Sequence, residues 1–86
     1  MPYILKERRS VLRSYLLLLT GQIDQEHRDG EVNYCISKML DLLYVKHSYK
    51  ELNAAVGVLE SAKQEYYRRV VAPFEDFKMK ETGDIY

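Results

Sequence analysis

The sequence has one cysteine, two prolines, four glycines and no tryptophan among 86 residues, and thirteen Asp/Glu cancel its thirteen Lys/Arg. Each scarcity removes a class of protein. A lone Cys35 cannot close an intramolecular disulfide, so nothing staples the chain, and a reducing, cytoplasmic setting is expected. Zero net charge lacks the basic footprint of a protein that holds long nucleic acid. The longest apolar run, Tyr15–Leu19, has five residues, against the ~20 that a membrane span needs. Lys6, Arg8 and Arg9 precede that run as basic residues precede a secretory leader. Arg13 and Ser14 interrupt it, however, and no small-residue cleavage site follows before Gln22, so neither leader nor membrane association is expected.

Motifs for chemistry are equally thin. There is no Gly-rich phosphate loop, no GxSxG elbow and no HExxH. The only two histidines, His27 and His47, stand twenty residues apart, a poor start for a metal site. No catalytic residue, metal or cofactor is expected, and the chain reads as a non-enzyme. Its length fits one domain. An unstapled chain this short buries only ~60% of the surface its unfolded form exposes, which makes homo-oligomerisation the expected supplement. The 47% apolar content argues against disorder.

What is present is helical periodicity. No segment sustains period-two alternation, and the spacing predicts an all-α domain of three helices with a Pro-kinked extension. Helix one is expected over 6–20, with Leu12, Tyr15, Leu16 and Leu19 on one face and Gly21 as its stop. Helix two is expected over 30–46, with Asp29 as N-cap and Val32, Cys35, Ile36, Met39, Leu40 and Leu43 sharing a face. Cys35 reads there as a small core residue. Helix three is expected over 49–72, opened by the capping box Ser48-Tyr-Lys-Glu51. Pro73 ends or kinks it, a segment over 73–80 follows, and Glu81-Thr-Gly-Asp84 reads as a turn.

One row breaks the pattern of helix three. With Leu52 at 0°, Val56, Leu59, Tyr66 and Val70 form an apolar stripe, and Lys63 falls inside it at ~20°. Asn53, Glu60 and Tyr67 fall at ~100°, ~80° and ~60°, a heptad-spaced polar row beside it. A lysine so placed either pairs with Glu60 while its stem covers apolar surface, or meets an anion from outside. In the second case Lys63 and Tyr67 line a pocket or subunit seam, with Asn53 and Glu60 fixing orientation. Eight tyrosines, Tyr34 among them on the polar side of helix two, also suit an interface. Glu65 is placed to pair with Arg69 at i+4. Charge is uneven along the chain, with a basic first twenty residues and an acidic last fourteen that could meet and set orientation.

Met1-Pro-Tyr-Ile4, Gly30-Glu-Val-Asn-Tyr34, Gly57-Val-Leu-Glu60, Tyr67-Arg-Arg69 followed by Ala72-Pro73, and Gly83-Asp-Ile-Tyr86 together resemble a family of short phage and bacterial proteins. That family is catalogued as a domain of unknown function. The resemblance implies phage association but no activity. Compact oligomeric phage proteins of similar style act as anti-defence sponges, sequestering nucleotide second messengers of bacterial immunity. Such a site needs cations for phosphate and aromatic faces for bases. The residues that would supply both here are Lys63, Tyr67 and Arg69, with Arg9 or Tyr34 from a neighbouring subunit, while Asn53 and Glu60 would fix orientation. The two expectations are therefore a homo-oligomer that binds a small anionic, nucleotide-like ligand at a seam, and a helical module that docks a host or phage protein.

Overall fold

The computed structural model describes residues 3–86; Met1 and Pro2, which open the MPYI motif, lie outside them. Helices account for most of the described residues, and no strand occurs among them. In chain order the elements are α1 (Lys6–Gln22), a 3-10 turn (Gln25–His27), α2 (Arg28–Leu43), α3 (Tyr49–Tyr66), a π turn (Tyr67–Val71) and α4 (Ala72–Thr82). The all-α class expected from the periodicity is what the chain adopts. Two units divide it, 3–52 among the described residues and Asn53–Tyr86.

α1 begins without a side-chain cap at Leu5. Its first turn is tied back instead by Arg9, whose Nε donates to the Ile4 carbonyl at 2.9 Å. The helix does not stop at Gly21 as expected. Gly21 is not among the residues with positive φ, so it supplies no left-handed turn; the chain leaves the helix at Ile23, extended at φ −67°, ψ 128°, with its N–H on Thr20.

The entry to α2 also differs from expectation. Asp29 is not the cap but lies inside the first turn, because the chain has already turned at Asp24. Asp24 Oδ1 accepts from the Glu26 N–H at 3.0 Å and its Oδ2 meets His27 Nδ1 at 2.9 Å. Glu31, one turn into α2, accepts from the Asp24 N–H at 2.9 Å and locks the connection to the helix. A short acidic side chain that captures the amide two residues on, while its own carbonyl takes the amide three residues on, is the usual reason a chain starts a turn. At the other end α2 stops at Leu43 rather than 46. Tyr44 leaves helical geometry with its N–H on Leu40, and Lys46 is used in a turn that receives the Ser48 N–H at 3.0 Å.

Half of the capping box forms. The Glu51 N–H donates to Ser48 Oγ at 3.3 Å, but the Ser48 amide is held by Lys46, so Glu51 has no return bond to make. From Tyr49 the helical path then runs without interruption to Thr82. Pro73 has no N–H and its ring would strike the carbonyl four residues back. The helix absorbs this by widening just ahead of it, with the Ala72 N–H reaching five residues back to Tyr67. Pro73 thus sits in the first turn of α4, where a missing N–H costs least. Gly83, at φ 87° and ψ 156°, ends α4 with its N–H on Met79, a backbone conformation that glycine alone adopts without strain.

The expected apolar faces exist, but the chain does not cover them. Among the described residues only Ala55 is buried. Leu12, Leu16, Leu19, Ile36, Met39, Leu52, Val56, Leu59 and Val70 are all exposed, and Cys35 is half-buried. α1 and α2 belong to one unit, yet every residue from Lys6 to Gln22 is exposed, so α2 does not cover α1.

If the Ser48 hydroxyl is what fixes the start of α3, Ser48→Ala lowers stability by about 1 kcal/mol and Ser48→Gly by only a few tenths. Urea unfolding of the two variants measures it; equal losses would show that the hydroxyl caps nothing.

Candidate functional site

Five of the seven residues picked out by the polar row and its neighbourhood, Asn53, Glu60, Lys63, Tyr67 and Arg69, lie on the single helical path from α3 into the π turn. Arg9 lies on α1, with its guanidinium on the Ile4 carbonyl. Tyr34 stands on α2 and is 64% exposed.

Lys63 takes the simpler of its two expected forms. Its Nζ lies 3.4 Å from Glu60 Oε2 one turn back, and its side chain is 73% exposed. The other oxygen of the same carboxylate accepts from Gln64 Nε2 at 3.1 Å. Gln64 and then Lys63 hold the Glu60 carboxyl below its ordinary value. A lowered carboxyl contributes stability that is present above its ordinary titration range and is lost as the pH falls through the folded value. With about half of its surface in solvent and its partner Lys63 more exposed still, this group contributes little.

Tyr67 is committed to a partner that the heptad spacing does not suggest. Its hydroxyl donates to Glu75 Oε1 at 2.7 Å across eight residues. In a regular α-helix residue i+8 lies ~12 Å along the axis, and side chains lean toward the N-terminus, so the pair is not an ordinary helical neighbour. It bridges the π turn and Pro73. The carboxylate beside it pushes the phenol above its ordinary value, through the hydrogen bond first and charge second. The sign follows: a raised phenol favours the fold below its ordinary range, and that contribution is lost as the pH rises through the folded value.

Arg68 and Arg69 share Glu65, at 2.8 Å and 3.7 Å, so the expected Glu65–Arg69 pair forms within a small cluster. Glu65 is the least exposed of these charged side chains, at 21%. One open concavity is lined by Ser61, Gln64, Glu65 and Arg68. A second lies at the 3-10 turn, over Gln25–Gly30, and a third between α4 and the tail, over Glu75, Lys78, Met79 and 82–86. None of the seven candidate residues lines any of these three. Among the described residues no group of three or more His, Cys, Asp or Glu side chains is arranged so that it could hold a metal ion. No helix among them is long and apolar enough to cross a membrane.

The geometry therefore gives a run of paired charges beside an open apolar stripe. A family model described as a domain of unknown function, DUF6899, matches residues 1–85. The chain belongs to the DUF6899 family. No curated protein and no solved structure matches it. The family's description carries no activity, so what this DUF6899 chain does has to be read from its own surface.

Sequence reasoning missed the Asp24–His27–Glu31 cluster and the Tyr67–Glu75 bridge. An Asp two residues before a backbone amide it can reach was a visible signal for the first. For the second the only signal was Pro73, which forces a widened turn and so brings together residues that an ideal wheel keeps apart.

Two outcomes check this geometry. Tyr67 titrates at higher pH than a freely exposed tyrosine in ultraviolet or NMR titration, and Glu75→Gln returns it toward the ordinary range; no change on that substitution would remove the bridge. Lys63→Ala leaves the unfolding midpoint within experimental error, since an exposed pair on a helix is screened and contributes little.

Proposed function

We propose that this DUF6899 protein works by association, as a non-catalytic helical module that docks its apolar helix faces onto another polypeptide. The observation that carries this reading is the contrast, among the described residues, between a single buried one, Ala55, and the row of exposed leucines and valines on α1 and α3. A monomeric protein rarely leaves contiguous apolar faces in water, and helices hold their form in proteins mainly through such faces. Recognition of this kind reads anchors at i, i+3, i+4 and i+7; Leu52, Val56 and Leu59 supply i, i+4 and i+7, and the stripe resumes beyond Lys63 with Tyr66 and Val70.

The rival expectation, an anionic nucleotide-like ligand held by Lys63, Tyr67 and Arg69, has to compete with partners already in place. Glu60 holds Lys63, Glu65 holds Arg69 and Glu75 holds Tyr67. The association reading asks for no such exchange. A phage setting, which the family resemblance implies, and a cytoplasmic location, expected from the lone cysteine and the short apolar run, go with this proposal.

A pair of variants separates the two. Leu59→Asp weakens association, read by sedimentation, by about tenfold or more because a charge enters an apolar contact. Lys63→Ala changes it less than about twofold, and calorimetric titration with cyclic nucleotides gives no heat. Loss of function on Lys63→Ala together with heat from a nucleotide would overturn this assignment.

A further inference from the structure

We propose that the widened turn ahead of Pro73 is a register stop: it ends the apolar stripe of α3 at Val70 and, latched by Tyr67 and Glu75, keeps Phe74 and Phe77 off it. The inference rests on the association reading and says how far along the helix the surface of that reading extends.

On the wheel that puts Leu52 at 0°, an unbroken helix would carry the stripe straight on. Phe74 falls there at ~40° and Phe77 at ~340°, the angles of Val56 and Leu59. Both rings are exposed, at 59% and 56%. The sequence thus holds one apolar row, Val56, Leu59, Tyr66, Val70, Phe74 and Phe77, interrupted by Lys63. The fold does not use it as one row. The Ala72 N–H reaches five residues back to Tyr67 instead of four. A turn closed in that way holds one residue more, so everything beyond it is set back by one position, ~100°. Phe74 then stands at ~300° and Phe77 at ~240°, while Glu75 moves from ~140° to ~40° and Lys78 from ~80° to ~340°. Charged side chains take the line on which two rings would have stood.

The bond between Tyr67 and Glu75 is an independent sign of the set-back. Tyr67 lies at ~60°, so a regular helix would hold the pair ~80° apart, and the widened one holds it ~20° apart. The 2.7 Å contact between Tyr67 Oη and Glu75 Oε1 belongs to the second arrangement. Pro73 and this bond have different effects. Pro73 disfavours the regular turn, because it has no N–H to give and its ring would strike the Arg69 carbonyl. The Tyr67–Glu75 bond favours the widened turn, since it forms in that register alone. Lys78 adds to the separation, with its Nζ 5.7 Å from the Phe74 ring centroid, so that a cation accompanies the first of the displaced rings.

The experiment uses the full chain and reads the register before it reads association. In the native protein the NMR coupling across the hydrogen bond joins the Ala72 amide to the Tyr67 carbonyl. In the double variant Pro73→Ala, Glu75→Gln, which removes both cause and latch, it joins Ala72 to Arg68. Alanine suits a helix far better than proline, so this variant keeps its helix. With both rings back on the stripe, sedimentation shows self-association about tenfold tighter than that of the native chain. A coupling to Tyr67 that persists in the double variant overturns the proposal, because neither group then sets the register. A register that moves while association stays within about twofold overturns the stop and leaves the association reading, which Leu59→Asp tests, in place. If neither protein associates at any concentration, the association reading falls and the stop falls with it.

Discussion

The rest of the structure depends on the removal of aliphatic side chains from water, which this chain does not complete alone. Taking a Leu or Val fully out of water is worth roughly 1.5–3 kcal/mol, and on α1 and α3 that stabilisation is left unclaimed. Among the described residues its side-chain hydrogen bonds and ion pairs join residues eight or fewer apart. Such local bonds define where helices begin and end; they do not supply a core. A helix of ordinary composition needs a covered face to persist, so the faces and the helices stand or fall together.

The polar features serve the ends and irregularities of helices. Asp24 and Glu31 fix the entry to α2, Ser48 opens α3, and Tyr67 with Glu75 spans the widened turn that Pro73 requires. Lys63 and Glu60 keep each other on the solvent side of the stripe. The charged residues of the candidate row on α3 and the π turn, Glu60, Lys63 and Arg69, each have a partner on their own helical path. Within that row the apolar neighbours Leu52, Val56, Leu59 and Val70 stay exposed, and the association proposal rests on that contrast.

Periodicity was enough to read the helices and their apolar faces, because 3.6-residue spacing is a local property of the chain. The boundaries were harder. Gly21 resembles a helix stop, but without a positive φ it is only a small helical residue. Asp29 resembles a cap, but Asp24 had already turned the chain. The capping box at Ser48 was half legible, since the reverse bond depends on whether another carbonyl reaches the Ser48 amide first. In the candidate row, the wheel located Lys63 correctly on the stripe yet could not decide between its two forms. That choice turns on whether a carboxylate one turn away is already available, and Glu60 is. The Tyr67–Glu75 bridge was out of reach of an ideal wheel, because the π turn changes the angle on which the wheel is drawn.

Site-resolved amide hydrogen exchange of α1 at two well-separated protein concentrations tests the central claim most directly. The account predicts that protection across Lys6–Gln22 rises with concentration, because the cover of that helix comes from another chain. Protection that is strong and identical at both concentrations, in a species with the mass of one chain, would contradict it.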